Sequence, residues 1–458
     1  MNREEIIVSV RMLLQNPDPD AFRRLVRECP PADIAEVLRD AAPQQVSALL
    51  LTLPSREQAR LFVELLDAEQ DAVLAATPSG PAATLIGDLP PDERADLYNR
   101  LSSDGRERLI PLLAQAERED VLRLAAYPEG TAGSVTTSAY ATVSAGMTVG
   151  DSLQELRTSA PDKETINVVY VIDGDGRLRG TIPLRELVLN RADTKVEELM
   201  QTDPVLVRSN DPDDKATEYI RRYNMLAVPV VDGDERMIGI VTVDDAMDID
   251  REQDATQLAR YGGTSAVGGP DLDLKDSSFL RIYGTRVFWL GLLTVFGLIT
   301  SNFVAAQEDI LAEVIILAAF LAPIIDMGGN TGSQSATLVL RSMALGQMQL
   351  RWRDIGFVIR RELGVALALG ASIAVLEVVL TYFTKGDIGG EVLAIVGLSM
   401  LTCTVVGGVL GSLLPFLARK IGTDPATLSA PLITSIMDLV GVFIYFGFAY
   451  WFLADLIA

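Results

Sequence analysis

The chain contains no histidine. That removes Ser-His and Cys-His catalysis, histidine-ligated zinc or iron, and the histidine pH switch together. Only two cysteines occur among 458 residues, Cys29 and Cys403, and they fall in regions of opposite character. A disulfide framework and a cysteine-rich metal site are both excluded. Positive charge is scarce too, with 39 Lys and Arg against 62 Asp and Glu, a formal net charge of −23. Residues 1–270 carry −19 of it and residues 271–458 only −4. A polyanionic first part is unsuited to nucleic acid, whose phosphates are held by Lys and Arg, and is suited to attracting cations. The opening Met1-Asn2-Arg3-Glu4-Glu5 leads into a short amphipathic run rather than a cleavable signal peptide. With no credible catalytic constellation, the chain reads as something other than an enzyme.

What the second part has is apolar length. Five stretches follow Arg286: 287–306, 314–340, 363–384, 392–418 and 426–454. The first holds no charge over 20 residues, enough to cross about 30 Å of hydrocarbon. Arg281 and Arg286 precede it, Arg341, Arg351, Arg353, Arg360 and Arg361 separate the second from the third, and Arg419 and Lys420 separate the fourth from the fifth. The alternate loops hold Glu308, Asp309, Glu313, Asp387 and Glu391, with Lys385 their only base. The positive-inside rule therefore places the basic loops and the N-terminal part in the cytoplasm of a bacterial-type cell and the C-terminus outside its inner membrane.

Ionisable residues inside these stretches are few. Asp438, mid-helix, costs about 2.5–3.5 kcal/mol on insertion scales. It lines a water- or ion-filled path, or is satisfied by hydrogen bonds between helices. Three glycines in five residues, Gly328, Gly329 and Gly332, are expected to break the second helix and turn carbonyls toward an ion, with Asn330 and Gln334 beside them. Glycine-mediated helix packing is the alternative. Glu377 reads as structural, and Asp326 as either structural or functional.

The first part divides in two. Residues 1–130 are punctuated by Pro30-Pro31, Pro43, Pro54, Pro78, Pro90-Pro91 and Pro111, and apolar residues recur at three- and four-residue spacing, as in a small helical solenoid. Farther on, the segment 171–180 recurs 59 residues later as 230–239, each copy reading as strand, tight turn, strand and then a helix near Arg185 or Asp244. The repeat resembles a pair of cystathionine-β-synthase (CBS) motifs, a module that often binds adenine nucleotides. In the second copy Thr242 and Asp245 match the phosphate- and ribose-contacting positions. In the first copy Pro183 and Glu186 depart from them, so at most one nucleotide site is implied and ATP is an optional ligand. Asp244, Asp245, Asp248, Asp250, Glu252 and Asp254 then crowd eleven residues opposite Arg251 alone. A solvated acidic face and a cation-responsive one both fit.

In this order the segments resemble the MgtE family of magnesium channels and transporters across essentially the whole chain. The match is carried by the segment 328–337 (GGNTGSQSAT), by Asp424-Pro425-Ala426 with Pro431 and the segment 435–446, and by Tyr127-Pro128-Glu129-Gly130-Thr131-Ala132-Gly133. The fold class it implies is multidomain: an all-α, solenoid-like N domain (1–133), an α/β CBS pair (134–250), an acidic linker or "plug" helix (251–280) and a five-helix membrane pore domain (281–458). It further implies a homodimer in membrane lipid, a pore lined by Asp438 on the two-fold axis, and closure by intracellular Mg²⁺. The positions matching the family's regulatory carboxylates are Glu57, Asp92, Asp96, Asp214, Asp244, Asp245, Asp248 and Asp424. Asn224, Gln257 and Ala430 depart from residues that relatives carry. The alternatives are a secondary transporter exchanging Mg²⁺ or another divalent ion with H⁺ or Na⁺, and, in a different class, a membrane-anchored nucleotide sensor.

Overall fold

The computed structural model describes residues 2–264, 272, 274, 277–385, 388–427 and 430–454. Asp387 and most of the expected linker between 265 and 276 lie outside the described residues. The chain divides into two compact units, Met1–Glu252 and Gln253–Ala458.

The first unit opens with ten short α-helices: α1 (Arg3–Gln15), α2 (Pro19–Glu28), α3 (Pro31–Leu38), α4 (Pro43–Leu50) and α5 (Ser55–Phe62), then α6 (Asp67–Ala76), α7 (Ser79–Gly87), α8 (Pro91–Arg100), α9 (Ser103–Leu109) and α10 (Gln115–Leu124). The prolines act as starts. Pro19, Pro31, Pro43 and Pro91 each occupy the first helical position, where the missing N–H would have had no partner. Pairings α1–α3, α3–α5, α5–α7 and α7–α9 give the stacking of a solenoid. One continuous core, including Phe22, Ile34, Leu38, Leu61, Phe62 and Leu74, runs through the stack.

Two three-stranded sheets follow. The first joins β1 (Tyr140–Ser144), β2 (Thr165–Ile172) and β3 (Leu178–Pro183); the second joins β4 (Val207–Arg208), β5 (Ala227–Val231) and β6 (Met237–Thr242). In both the outer pair is parallel and the hairpin antiparallel. The 59-residue repeat is exact in register, with Val171 facing Gly180 and Val230 facing Gly239. Gly176 (φ 79°) and its counterpart Glu235 (φ 63°) both take the left-handed conformation of the turn. The second copy thus carries a strained turn that glycine relieves in the first. Helices α11 (Val149–Ser159), α12 (Leu184–Leu189), α13 (Val196–Leu199), α14 (Asp213–Tyr223) and α15 (Val243–Tyr261) complete the pair. The acidic run is therefore no separate element: it belongs to α15, which begins directly after β6.

The second unit holds α16 (Phe279–Ala305), α17 (Glu308–Glu313), α18 (Ala318–Ala344), α19 (Trp352–Lys385), α20 (Gly390–Lys420) and α21 (Ala430–Phe452). Among the described residues five spans are long and apolar enough to cross a membrane: Phe279–Ala305, Ile315–Ala344, Trp352–Thr384, Gly390–Lys420 and Ala430–Phe452. α20 packs against α18, α19 and α21, while α16 touches the bundle chiefly through α21.

The expected helix break at Gly328–Gly332 is absent. α18 continues as α-helix through all three glycines, so their carbonyls serve the helix rather than an ion. The glycines permit close approach instead. A Cβ at Gly407 would stand 2.2 Å from the Gly328 carbonyl oxygen, and one at Gly411 would stand 2.0 Å from that of Gly332. Backbones of α18 and α20 thus meet with no side chain between them, the alternative reading of the motif. Gly411→Ala must push the helices apart, and we expect it to lower the stability of the purified protein by about 1–3 kcal/mol. Gly447→Ala, where nothing lies within 4 Å of the added carbon, should not. Thermal unfolding in detergent, followed by size exclusion, separates the two.

Candidate functional site: a polar helix face and an acidic interface

Burying the glycine face of α18 fixes what the opposite face shows. Ile324, Gly328, Gly332, Ala336 and Val339 point inward, whereas Asp326, Asn330, Gln334, Thr337 and Arg341 are exposed. Their spacing of four, four, three and four residues draws one stripe along the helix. Five polar side chains in line on a membrane-length helix cannot face hydrocarbon at acceptable cost. Beside them runs α21. Its Thr434, Met437 and Gly441 lie against Gly329, Gly328 and Ile325 respectively. This antiparallel register brings Asp438, half-buried, to the depth of residues 325–328. The sequence-expected path residues Asn330 and Gln334 therefore share the exposed face of α18, and Asp438 lies half-buried on the neighbouring α21. Gly328 and Gly329 are not on that face; they are buried against Cys403, Met437 and Thr434.

Sequence reasoning missed a carboxylate held inside the bundle. The Ser335 hydroxyl, on the buried face of α18, hydrogen-bonds Glu362 of α19. No spacing rule joins residues 27 apart in sequence.

In the second half of α18 and just before α21 the second unit is tied by polar contacts of residues following the acidic run. Arg260 pairs with Asp424, and the Tyr261 hydroxyl donates to the Ser333 carbonyl oxygen at 2.8 Å and meets the Thr337 hydroxyl at 2.7 Å. Asp424, expected among the regulatory carboxylates, thus already holds a guanidinium of its own chain.

In the first unit, α8 and α15 bring acids together. Asp92 is half-buried, and desolvation raises its pKa, assisted by the charge of Glu164 and opposed by hydrogen bonding to its own backbone and to Thr137. One of its oxygens, Oδ1, is buried without a hydrogen-bond partner. Asp245 is raised by burial and then by the Asp92 charge. Glu93, which the sequence reading omitted, is pushed up to about 8 by burial and by Asp92, Asp96 and Asp245. Asp96, although its side chain reaches solvent, is pushed up to about 6, by desolvation first. Glu164, in the connection before β2, is raised by burial and by Asp245 and Asp244.

The other expected regulatory residues sit elsewhere in the unit. Glu57, on α5, accepts from Arg27 at 3.3 Å. Asp214 lies in the first turn of α14, and Asp248 pairs with Arg251 at 3.0 Å. Among the described residues no group of three or more carboxylates is close enough to hold a metal ion directly. The nucleotide candidates Thr242 and Asp245 do meet, hydroxyl to carboxylate at 2.5 Å, and the Thr242 amide donates to the same oxygen. Asp245 thus accepts from the N–H that opens α15, half of a capping box.

Together, a membrane bundle with a polar stripe beside an intramembrane carboxylate, and a soluble unit rich in converging acids, define a multi-pass membrane transport protein for cations. Comparisons agree. Residues 321–448 match the family model of MgtE divalent cation transporters, residues 29–130 the MgtE intracellular N domain, and residues 132–193 and 196–252 CBS domains. The magnesium transporter MgtE of Thermus thermophilus is 37% identical over 327 residues, 71% of each chain, and that of Bacillus subtilis 32% identical over 334 residues, 73% and 72%. The crystal structure of the soluble part of a magnesium transporter superposes with a TM-score of 0.53 at 29% identity, covering 55% of this chain and 99% of that one. The cytosolic domain of the Mg²⁺ channel MgtE in complex with ATP does so with 0.50 at 33%, covering 53% and 99%. The chain belongs to the MgtE family.

The acid cluster sets a measurable pH dependence. Unfolded, these carboxylates titrate near 4; folded, they keep protons to higher pH. Between roughly pH 4.5 and 8 the folded state binds more protons than the unfolded, so stability of the metal-free protein must fall as pH rises. Asp245→Asn should raise the melting temperature at pH 8 without metal and shrink the further rise that Mg²⁺ produces. Unchanged melting curves would contradict the assignment.

Proposed function

We propose that the protein is a homodimeric Mg²⁺ channel of a bacterial-type cytoplasmic membrane, admitting Mg²⁺ and closing when internal Mg²⁺ bridges the acids of its cytoplasmic part. The observation that carries the reading is the exposed stripe of α18 beside Asp438. A second copy laid against that face, the two Asp438 carboxylates opposed, removes the polar groups from lipid and encloses a water-filled path. The names of the relatives supply Mg²⁺ as the ion.

The residue types suit that ion. Mg²⁺ demands near-octahedral coordination at about 2.0–2.1 Å and gives up water reluctantly. Passing it hydrated avoids that cost. One Asp438 per subunit attracts the charge and accepts hydrogen bonds from coordinated water, and the Asn330 and Gln334 amides extend the outer shell. Binding of this kind is strong enough for entry and weak enough for release. An exchanger would instead need a coupled H⁺ or Na⁺ step.

Gating draws on the first unit. Asp92, Glu93, Asp96, Asp245 and Glu164 repel one another when metal is scarce, and Asp244 adds charge beside them. Cations neutralise the repulsion and hold α8 to α15. Moving a gate from 1:99 to 99:1 takes about 5.5 kcal/mol of differential binding, and one exposed ion pair gives at most about 1 kcal/mol. Several ions must act together, and Glu57, Asp214 and Asp248 supply further ligands, joined by Asp424 once it releases Arg260. At the CBS pair, ATP is the proposed regulatory ligand. It is supported by the ATP complex of the related cytosolic domain, with Thr242 and Asp245 at the matching positions.

The test is current or Mg²⁺ uptake in proteoliposomes of full-length protein. Asp438→Ala, checked for assembly, should abolish most of the flux, and neutralising Asp244, Asp245 and Asp248 together should shift Mg²⁺ closure to higher concentration. Wild-type flux through Asp438→Ala sinks the pore reading. Obligatory exchange with H⁺ or Na⁺ returns the transporter, and a silent wild type that binds ATP returns the sensor.

A further inference from the structure

Asp326 is an exposed acid on a membrane-length helix. It follows the apolar run Phe320-Leu321-Ala322-Pro323-Ile324-Ile325 and stands one turn before Asn330 on the polar stripe. Asn330 Nδ2 donates to its Oδ2 at 2.9 Å. A neutral amide orients a carboxylate without cancelling its charge, and no ion pair to Asp326 is found among the described residues. The contacts of Ile325 with Gly441 and of Gly328 with Met437 put Asp326 at the depth of Asp438.

Two acids at one depth on neighbouring helices, Asp326 exposed and Asp438 half-buried, are unfavourable unless something positive lies between or beside them. The amide of Asn330 engages Oδ2 of Asp326 and leaves Oδ1 for another donor. A purely structural acid would be turned into the bundle, as Glu362 is toward Ser335.

We propose that Asp326 is a second acidic residue of the ion path, accepting a hydrogen bond from water coordinated to a hydrated divalent cation at the level of Asp438, with Asn330 as the positioning residue that sets its orientation. The inference rests on the reading of Asp438 as lining that path. Its consequence is selectivity. Two charges per subunit raise the preference for a divalent over a monovalent cation, because attraction scales with the charge of the ion, while contact through water keeps release fast.

The experiment compares wild type, Asp326→Asn, Asp326→Glu, Asn330→Ala and Asp438→Ala as full-length protein in proteoliposomes and planar bilayers, each checked for oligomeric state. The readouts are the Mg²⁺ concentration giving half-maximal flux and the Mg²⁺ to Na⁺ permeability ratio from reversal potentials. A packing role would not move that ratio. We expect Asp326→Asn to raise the half-maximal concentration about tenfold and lower the ratio, Asp326→Glu to recover most of both, and Asn330→Ala to fall between. Should Asp326→Asn fail to assemble, the Asp326→Glu and Asn330→Ala ratios decide. Wild-type values in the Asp326 and Asn330 variants, with flux lost in Asp438→Ala, overturn the proposal alone. Undiminished flux through Asp438→Ala overturns the ion-path reading beneath it.

Discussion

The close approach of α18 to α20 sets the direction of the polar residues along α18. Gly328 and Gly332 meet Gly407 and Gly411 backbone to backbone, a contact that any side chain would prevent. With that face fixed inward, helical periodicity leaves Asp326, Asn330, Gln334, Thr337 and Arg341 outward in a line. In lipid the attraction between helices comes from packing and hydrogen bonding rather than from exclusion of water. A glycine seam is therefore both the adhesive of the bundle and the device that orients its polar stripe. Cys403 and Met437, buried at the same seam, carry α21 and thus Asp438 to the depth of that stripe.

The soluble unit depends on an interaction of opposite sign. Its two kinds of domain, stacked helices and a CBS pair, are joined partly by carboxylates that repel. Asp92 and Asp245 are both desolvated, with like charge at hand, so the interface is weakest when they are ionised and metal-free. Such an interface is conditional: protonation strengthens it, and the proposed closure by Mg²⁺ uses the same repulsion. α15 carries Asp244, Asp245 and Asp248 at its start and Arg260 and Tyr261 at its end. One continuous helix thus bears both the acidic contacts of the first unit and the contacts to Asp424, Ser333 and Thr337 in the second.

Much of this was legible in the sequence, for identifiable reasons. Apolar runs of membrane length survive any packing arrangement, and all five became helices, most of them extended at their basic ends. Prolines at helix starts and the 59-residue repeat are local signals, and both reappeared with the expected register. The glycine motif was read less well. Helix propensity argues for a break at three glycines in five residues, yet in a membrane the unpaired carbonyls of a break are costlier than glycine entropy, and α20 offers a surface that only glycine fits. Glu93, Glu164 and the Ser335–Glu362 contact escaped notice because they follow from contacts between distant segments. Arg260 opposite Asp424 escaped for the same reason, and it changes the role open to Asp424.

The central claim is that the exposed face of α18 borders water at membrane depth. It is tested most directly by Asn330→Cys, the native Cys29 and Cys403 being buried. In proteoliposomes, a charged, water-soluble thiol reagent should modify the new cysteine and stop Mg²⁺ flux, with Mg²⁺ slowing the reaction. A cysteine at Leu369, on the exposed apolar face of α19, should resist the same reagent. If the cysteine at position 330 reacts only with a lipid-soluble reagent, the stripe faces hydrocarbon and the account fails.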